Sequence, residues 1–167
     1  MPKDIVNIPR KKWVGYAWVI ITVALAFVLA RIYVMVDSSP SSSYKGTFAL
    51  LAVLILVLLA FTTFAYYRTK YVIKNGMLQA WSPFMVINLP LKNIRKVERT
   101  RVPVYLRVGA SAYCGFFYIP GVGWTRAIIT NMTDGVLIYA KDGKKYLITP
   151  SNPDKFAKLL KNGSRSR

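Results

Sequence analysis

The sequence predicts an α-helical transmembrane hairpin followed by a small, mainly-β domain that ends in one covering helix. Three observations carry this reading. Residues 13–36 and 48–67 are apolar runs of 24 and 20 residues, about 36 Å and about 30 Å of helix against a hydrocarbon core of about 30 Å. Residues 68–149 then read as short runs rich in β-branched and aromatic residues, broken by turn sequences. Only after Asn152 does the apolar spacing become helical.

Lys and Arg concentrate on the cytoplasmic flanks of membrane spans. Lys3, Arg10, Lys11 and Lys12 precede the first run and Arg68, Lys70 and Lys74 follow the second, whereas the Ser-rich loop 37–47 holds only Lys45. Even with Arg31 added to the loop side the bias is seven against two. It places both termini in the cytoplasm, with 1–12 as a basic tail, 37–47 as an external loop, 68–161 as a cytoplasmic domain and 162–167 as a second basic tail. A cleaved signal peptide is the weaker reading, because the first run exceeds a signal's apolar region and a second span follows at once. Arg31 can lay its stem along the helix and put its guanidinium among the outer headgroups. Pairing with a partner subunit inside the membrane is its functional alternative.

The chain has one cysteine, Cys114, and no histidine. One thiol makes no internal disulfide, and sites that combine Cys with His have no imidazole to use. Of six carboxylates, Asp134 and Asp142 fall in turn sequences and Asp154 in the first turn of a helix, so no acid/base pair stands out. The sequence therefore points to no catalytic residue, no cofactor and no metal. After Tyr67, 18 basic residues face 4 carboxylates, a formal charge of +14. Such a surface seeks anions.

Within the β segment, Asn75-Gly76 between 71–74 and 77–81 is the strongest short-range signal for a two-residue hairpin. Ser82-Pro83 ends that pairing. A third strand is expected over 85–91 and, after Lys92-Asn93, a fourth over 94–101, with Pro103 as the next interruption. Strands 113–119 and 126–130 flank the turn at 120–123, and 135–140 and 145–149 flank Lys141-Asp-Gly-Lys144. Asn152 is the expected N-cap, with Pro153 at the first helical position and Asp154 at the positive end of the dipole. Phe156, Leu159 and Leu160 form one apolar stripe, and Asn162-Gly163 is the expected stop. A lone helix of this length is marginal in water, so it must cover the strands.

Two stretches carry a resemblance, Asn88-Leu-Pro-Leu-Lys-Asn-Ile94 and Gly135-Val-Leu-Ile-Tyr-Ala-Lys-Asp-Gly-Lys-Lys-Tyr-Leu-Ile-Thr-Pro-Ser-Asn-Pro-Asp-Lys-Phe156. The chain resembles the prokaryotic pleckstrin-homology (PH) domains over 68–161, most specifically over 142–156. The resemblance implies a strongly bent antiparallel sandwich or barrel capped at one end by the terminal helix, and membrane hairpins are common ahead of such domains. It also points to scaffolding or assembly roles. Phosphoinositide-binding members cradle phosphates in a long basic loop between the first two strands. Here that loop is only Asn75-Gly76 with Lys74 beside it, which speaks against inositol-phosphate recognition.

Two groups of residues are candidate contacts. Lys92, Arg95, Lys96, Arg99, Arg101 and Arg107 form the densest basic cluster, and strand alternation puts Arg95, Arg99 and Arg101 on one face with Val97, unopposed by carboxylate. Lys92, Arg95, Arg99, Arg101 and Arg107 are the expected anionic-lipid or partner contact, the bland alternative being a solvated face near a negative leaflet. Phe116, Phe117, Tyr118 and Trp124 are the expected apolar contact with a partner or the membrane interface. Their alternative is to fill the core. No nucleic-acid-binding motif is present. The sequons at Asn131 and Asn162 matter only if the topology is inverted.

The resulting expectation is a non-catalytic, membrane-anchored scaffold or accessory subunit of a membrane protein complex, bound to a protein partner or a second copy of itself. An anionic-lipid headgroup module is the alternative.

Overall fold

The computed structural model describes residues 6–9, 12–37, 45–107 and 114–165. After strand β1 (Val6–Ile8) come two long helices, α1 (Lys12–Asp37) and α2 (Lys45–Arg68). Gly15 near the start of α1 lies against Tyr66 and Tyr67 at the end of α2, so the two run antiparallel; a Cβ there would stand 2.8 Å from the Tyr66 ring. Both helices are long and apolar enough to cross a membrane, and in α2 only Ala65 and Tyr66 are buried.

Strands β2 (Lys70–Lys74), β3 (Met77–Ser82) and β4 (Met85–Pro90) form a meander. Asn75 and Gly76 have φ of 54° and 69°. Both central residues of a type I′ turn need positive φ, which is why this pair makes the hairpin. Strand β1 adds to its edge, Val6, Asn7 and Ile8 standing opposite Ile73, Val72 and Tyr71. The stretch read from sequence as a tail thus contributes a strand. The first sheet is ordered β1-β2-β3-β4.

A 3₁₀ turn at Leu91–Asn93 leads into β5 (Ile94–Arg101) and the second sheet. Its other members are β6 (Cys114–Ile119), β7 (Gly123–Ile128), β8 (Asp134–Ala140) and β9 (Lys145–Ile148), ordered β5-β8-β9-β7-β6 with β7 and β9 parallel. A short helix α3 (Val104–Arg107) follows Pro103.

The inner faces of the two sheets enclose one core, in which Tyr71, Leu78, Ile87, Leu89, Val136, Ile138 and Ile148 meet Phe156 and Leu160 of α4 (Pro153–Arg165). The terminal helix is therefore the cover its stripe required. Its start is capped as expected, the Lys155 N–H donating to Asn152 Oδ1 at 3.0 Å. Its end is not: α4 runs on through Asn162-Gly163 to Arg165. Gly163 is there for proximity, since a Cβ on it would stand 2.5 Å from Leu91 Cδ1. The opposite face of the second sheet buries a smaller cluster, with Leu137 and Leu147 under Val102 and Leu106.

Candidate functional site

Strand β5 carries the basic cluster, and a bulge between Ile94 and Lys96 changes its geometry. Arg95 sits at the bulge, exposed and outside the regular alternation, because a bulge places two residues opposite one. Beyond it Val97 faces the core opposite Ile138, and Arg99 and Arg101 follow on the same side toward the rim. They border a shallow cleft of about 660 Å³ with Thr100, Thr133 and Asp134.

Arg99 is not unopposed, which corrects the reading from sequence. Its guanidinium meets both oxygens of Asp154, at 2.9 and 3.2 Å, and Asp134 Oδ2 at 3.5 Å. These carboxylates come from the start of α4 and the start of β8, so Arg99 ties helix to sheet. Lys92 lies elsewhere, beside the Asn75-Gly76 turn and Gly163. Arg107 has a backbone in α3, and its side chain lies outside what is described. Among the described side chains, the basic residues therefore do not converge on a single anion site.

On the other side of β5, Lys96 and Glu98 pair at 2.5 Å. The hydrogen bond from Lys96 holds the Glu98 carboxyl below the usual carboxylate range, and the same hydrogen bond, with the Glu98 charge behind it, raises Lys96 in turn. Burial pushes the Tyr139 phenol up, and the nearby Glu98 charge adds to this. In the β8–β9 turn Lys144 holds Asp142 down through its side chain and its backbone N–H. These are two surface pairs, not an acid and a base aimed at one point. Among the described residues no three His, Cys, Asp or Glu side chains are grouped as metal ligands. Cys114 is half-buried and accepts from Ser82 Oγ at 3.2 Å.

The β6–β7 hairpin presents the aromatic residues. In its ladder Phe116 stands opposite Arg126 and Tyr118 opposite Trp124. Alternation puts these four on the face of Cys114 and Ile128, exposed beyond the end of the main core, while Phe117 and Ile119 turn toward the smaller core. Trp124 is 69% exposed, and Phe116 and Tyr118 are more than half exposed. Tyr118 and Trp124 meet edge to face with centroids 5.9 Å apart, and the Arg126 guanidinium lies 4.8 Å from the Phe116 ring centroid. Each contact is worth about 0.5–1.5 kcal/mol and fixes side chains that solvent would leave free. Tyr105 of α3 donates to the Tyr118 carbonyl at 2.6 Å, tying the patch to α3. Of the four aromatics singled out from sequence, three share this face and Phe117 does not. Arg126 and Tyr105 are additions; the turn is one residue shorter than the expected 120–123, pairing Ile119 with Gly123, and this register places Arg126 opposite Phe116.

Asn131 is buried, its Oδ1 accepting from the Thr133 N–H at 3.2 Å and its Nδ2 donating to the Asp134 carbonyl at 3.1 Å. Its sequon is thus occupied by a structural turn.

Residues 69–164 match the family model described as Bacterial PH domain. The chain belongs to the bacterial PH domain family. No curated protein and no solved structure matches it significantly. The match spans β2 to α4, so α1, α2 and β1 are additions ahead of the PH domain, and β1 is built into its first sheet. The exposed aromatic face lies on the hairpin of this PH domain farthest in strand order from β5.

Proposed function

We propose that this protein is a non-catalytic scaffold or accessory subunit of a membrane protein complex, held in the cell membrane by α1 and α2 with its PH domain in the cytoplasm. The anchoring rests on two helices apolar on nearly every side and almost wholly unburied, the mark of a span, and on the seven-to-two Lys and Arg bias.

The scaffold role rests on one observation, the ordered aromatic face of Phe116, Tyr118 and Trp124. Aromatic residues with an arginine among them are the composition of a binding hot spot. The lipid-headgroup alternative draws on Arg95 and Arg101, which make no ion pair among the described residues. It is the weaker reading, because Arg99 is already neutralised by Asp134 and Asp154.

Purification of the full chain in mild detergent with quantitative mass spectrometry tests this. A partner at stoichiometric amounts that is lost from a Tyr118→Ser/Trp124→Ser variant supports the scaffold; a chain that purifies alone and binds anionic lipid through Arg95 and Arg101 supports the alternative.

A further inference from the structure

We infer that the β3–β4 turn of the PH domain is inserted into the membrane beside α2, with Phe84 reaching the outer part of the acyl chains and Trp81 at headgroup level. The inference rests on the anchoring proposed above and adds to it a lipid-contacting surface on the domain itself.

The decisive contact is Phe84 against Phe61 of α2, ring centroids 5.2 Å apart at 72°. Phe61 lies seven residues before Arg68, the last residue of α2, which is about 10 Å along the helix. At 24 residues, α2 exceeds a hydrocarbon core by only about one turn, so with Arg68 among the headgroups Phe61 lies below the polar layer. A side chain packed on Phe61 shares that depth.

The surface around Phe84 is graded as this position requires. On the outer face of the first sheet, Lys70, Trp81 and Val86 stand in one cross-strand row at the end next to α2. Val72, Gln79 and Asn88 form the next row outward. Phe84 is 52% exposed, and Trp81 and Val86 are exposed beside it, whereas the exposed residues of the second row are the amides Gln79 and Asn88. Apolar surface thus collects only at the helix-proximal end. The order from the tip is Phe84, then Trp81 with the Lys70 ammonium: an apolar anchor, an interfacial indole and a cation at the phosphates. The same residues in water would leave a phenyl, an indole and a valine exposed for no structural gain.

The test is a nitroxide placed at 84 in the full chain carrying Cys114→Ser, in nanodiscs of mixed phosphatidylcholine and phosphatidylglycerol. Matched labels at Gln79 and at Leu54 of α2 serve as references. Collision with oxygen and with a water-soluble nickel chelate is compared at each position. The expected result is that 84, like 54, is reached by oxygen and shielded from nickel, while 79 is open to nickel. Nickel access at 84 together with lipid exposure at 54 overturns the insertion and leaves the anchoring intact. Nickel access at 54 overturns the anchoring itself, and shielding of 84 from both reagents would put protein rather than lipid at the turn. As a second readout without a label, Trp81 is kept as the sole tryptophan by replacing Trp13, Trp18 and Trp124 with Phe. Its emission should be quenched by lipids brominated high on the acyl chain, and unchanged emission contradicts the inference.

Discussion

Ile8 stands opposite Tyr71 in an antiparallel ladder, although both long helices lie between them in the chain. The β1–β2 pairing closes the hairpin at its base, and Ser151 donates to the Pro9 carbonyl at 3.0 Å as a second tie. The segments before α1 and after α2 therefore lie side by side in one sheet. A sheet shared by both flanks of the helical pair also couples the PH domain to the helices more firmly than a single linker would.

From this pairing follows a labelling pattern. In a Cys114→Ser background, cysteines at Lys3 and Ser164 should behave alike toward an impermeant thiol reagent in intact cells, both protected, while one at Ser42 reacts. Lys3 and Ser164 differing from each other would contradict the β1–β2 ladder. Both reacting would invert the orientation.

Phe156 is fully buried in the main core beneath both sheets. Phe156→Ala should lower stability by about 3–5 kcal/mol, read by denaturant unfolding of the full chain in detergent with a probe of the PH domain. A loss under about 1 kcal/mol would mean that α4 is dispensable as a cover.

Gly163 couples to Leu91. Ala is favoured over Gly in a helix by up to about 1 kcal/mol, yet a Cβ at 163 would stand 2.5 Å from Leu91 Cδ1 and must displace that methyl. Gly163→Ala should therefore stabilise a Leu91→Ala chain more than the wild-type chain, read as a coupling in a double-mutant cycle. Equal effects in both backgrounds would show that α4 stands farther from Leu91.

Arg99 is itself exposed and pairs with exposed Asp154 and half-buried Asp134, where solvent screening limits an ion pair to at most about 1 kcal/mol. Arg99→Gln should lower stability by no more than that, with the difference shrinking in high salt. A larger, salt-independent loss would mean that the pair is more enclosed than its exposure indicates.

What was legible in the sequence is what local chemistry determines. Asn75-Gly76 and Asp142-Gly143 turn the chain regardless of what surrounds them, and Asn152-Pro153 starts a helix by satisfying its own first turn. The missed features are set at a distance. Strand β1 has three residues and gains its place only from β2 across the two helices. The partners of Arg99 arrive from β8 and α4, which alternation within β5 cannot show. Gly163 reads locally as a stop, but its contact with Leu91 makes it a point of helix packing. For the candidate site, the aromatic-rich stretch was visible as composition. Alternation within β6 separates Phe117 from Phe116 and Tyr118, but which set is covered depends on where the two cores end along the hairpin, and that is set at a distance.

The central claim is that a protein partner covers the aromatic face of the β6–β7 hairpin, and photocrosslinking in intact cells tests it most directly. A benzophenone side chain at Trp124, or at Tyr118, should give one discrete adduct of higher mass with a protein, while the same probe at Gln79 on the first sheet gives none. Absence of any protein adduct from 118 and 124, in cells where the chain is present and inserted, would contradict the account.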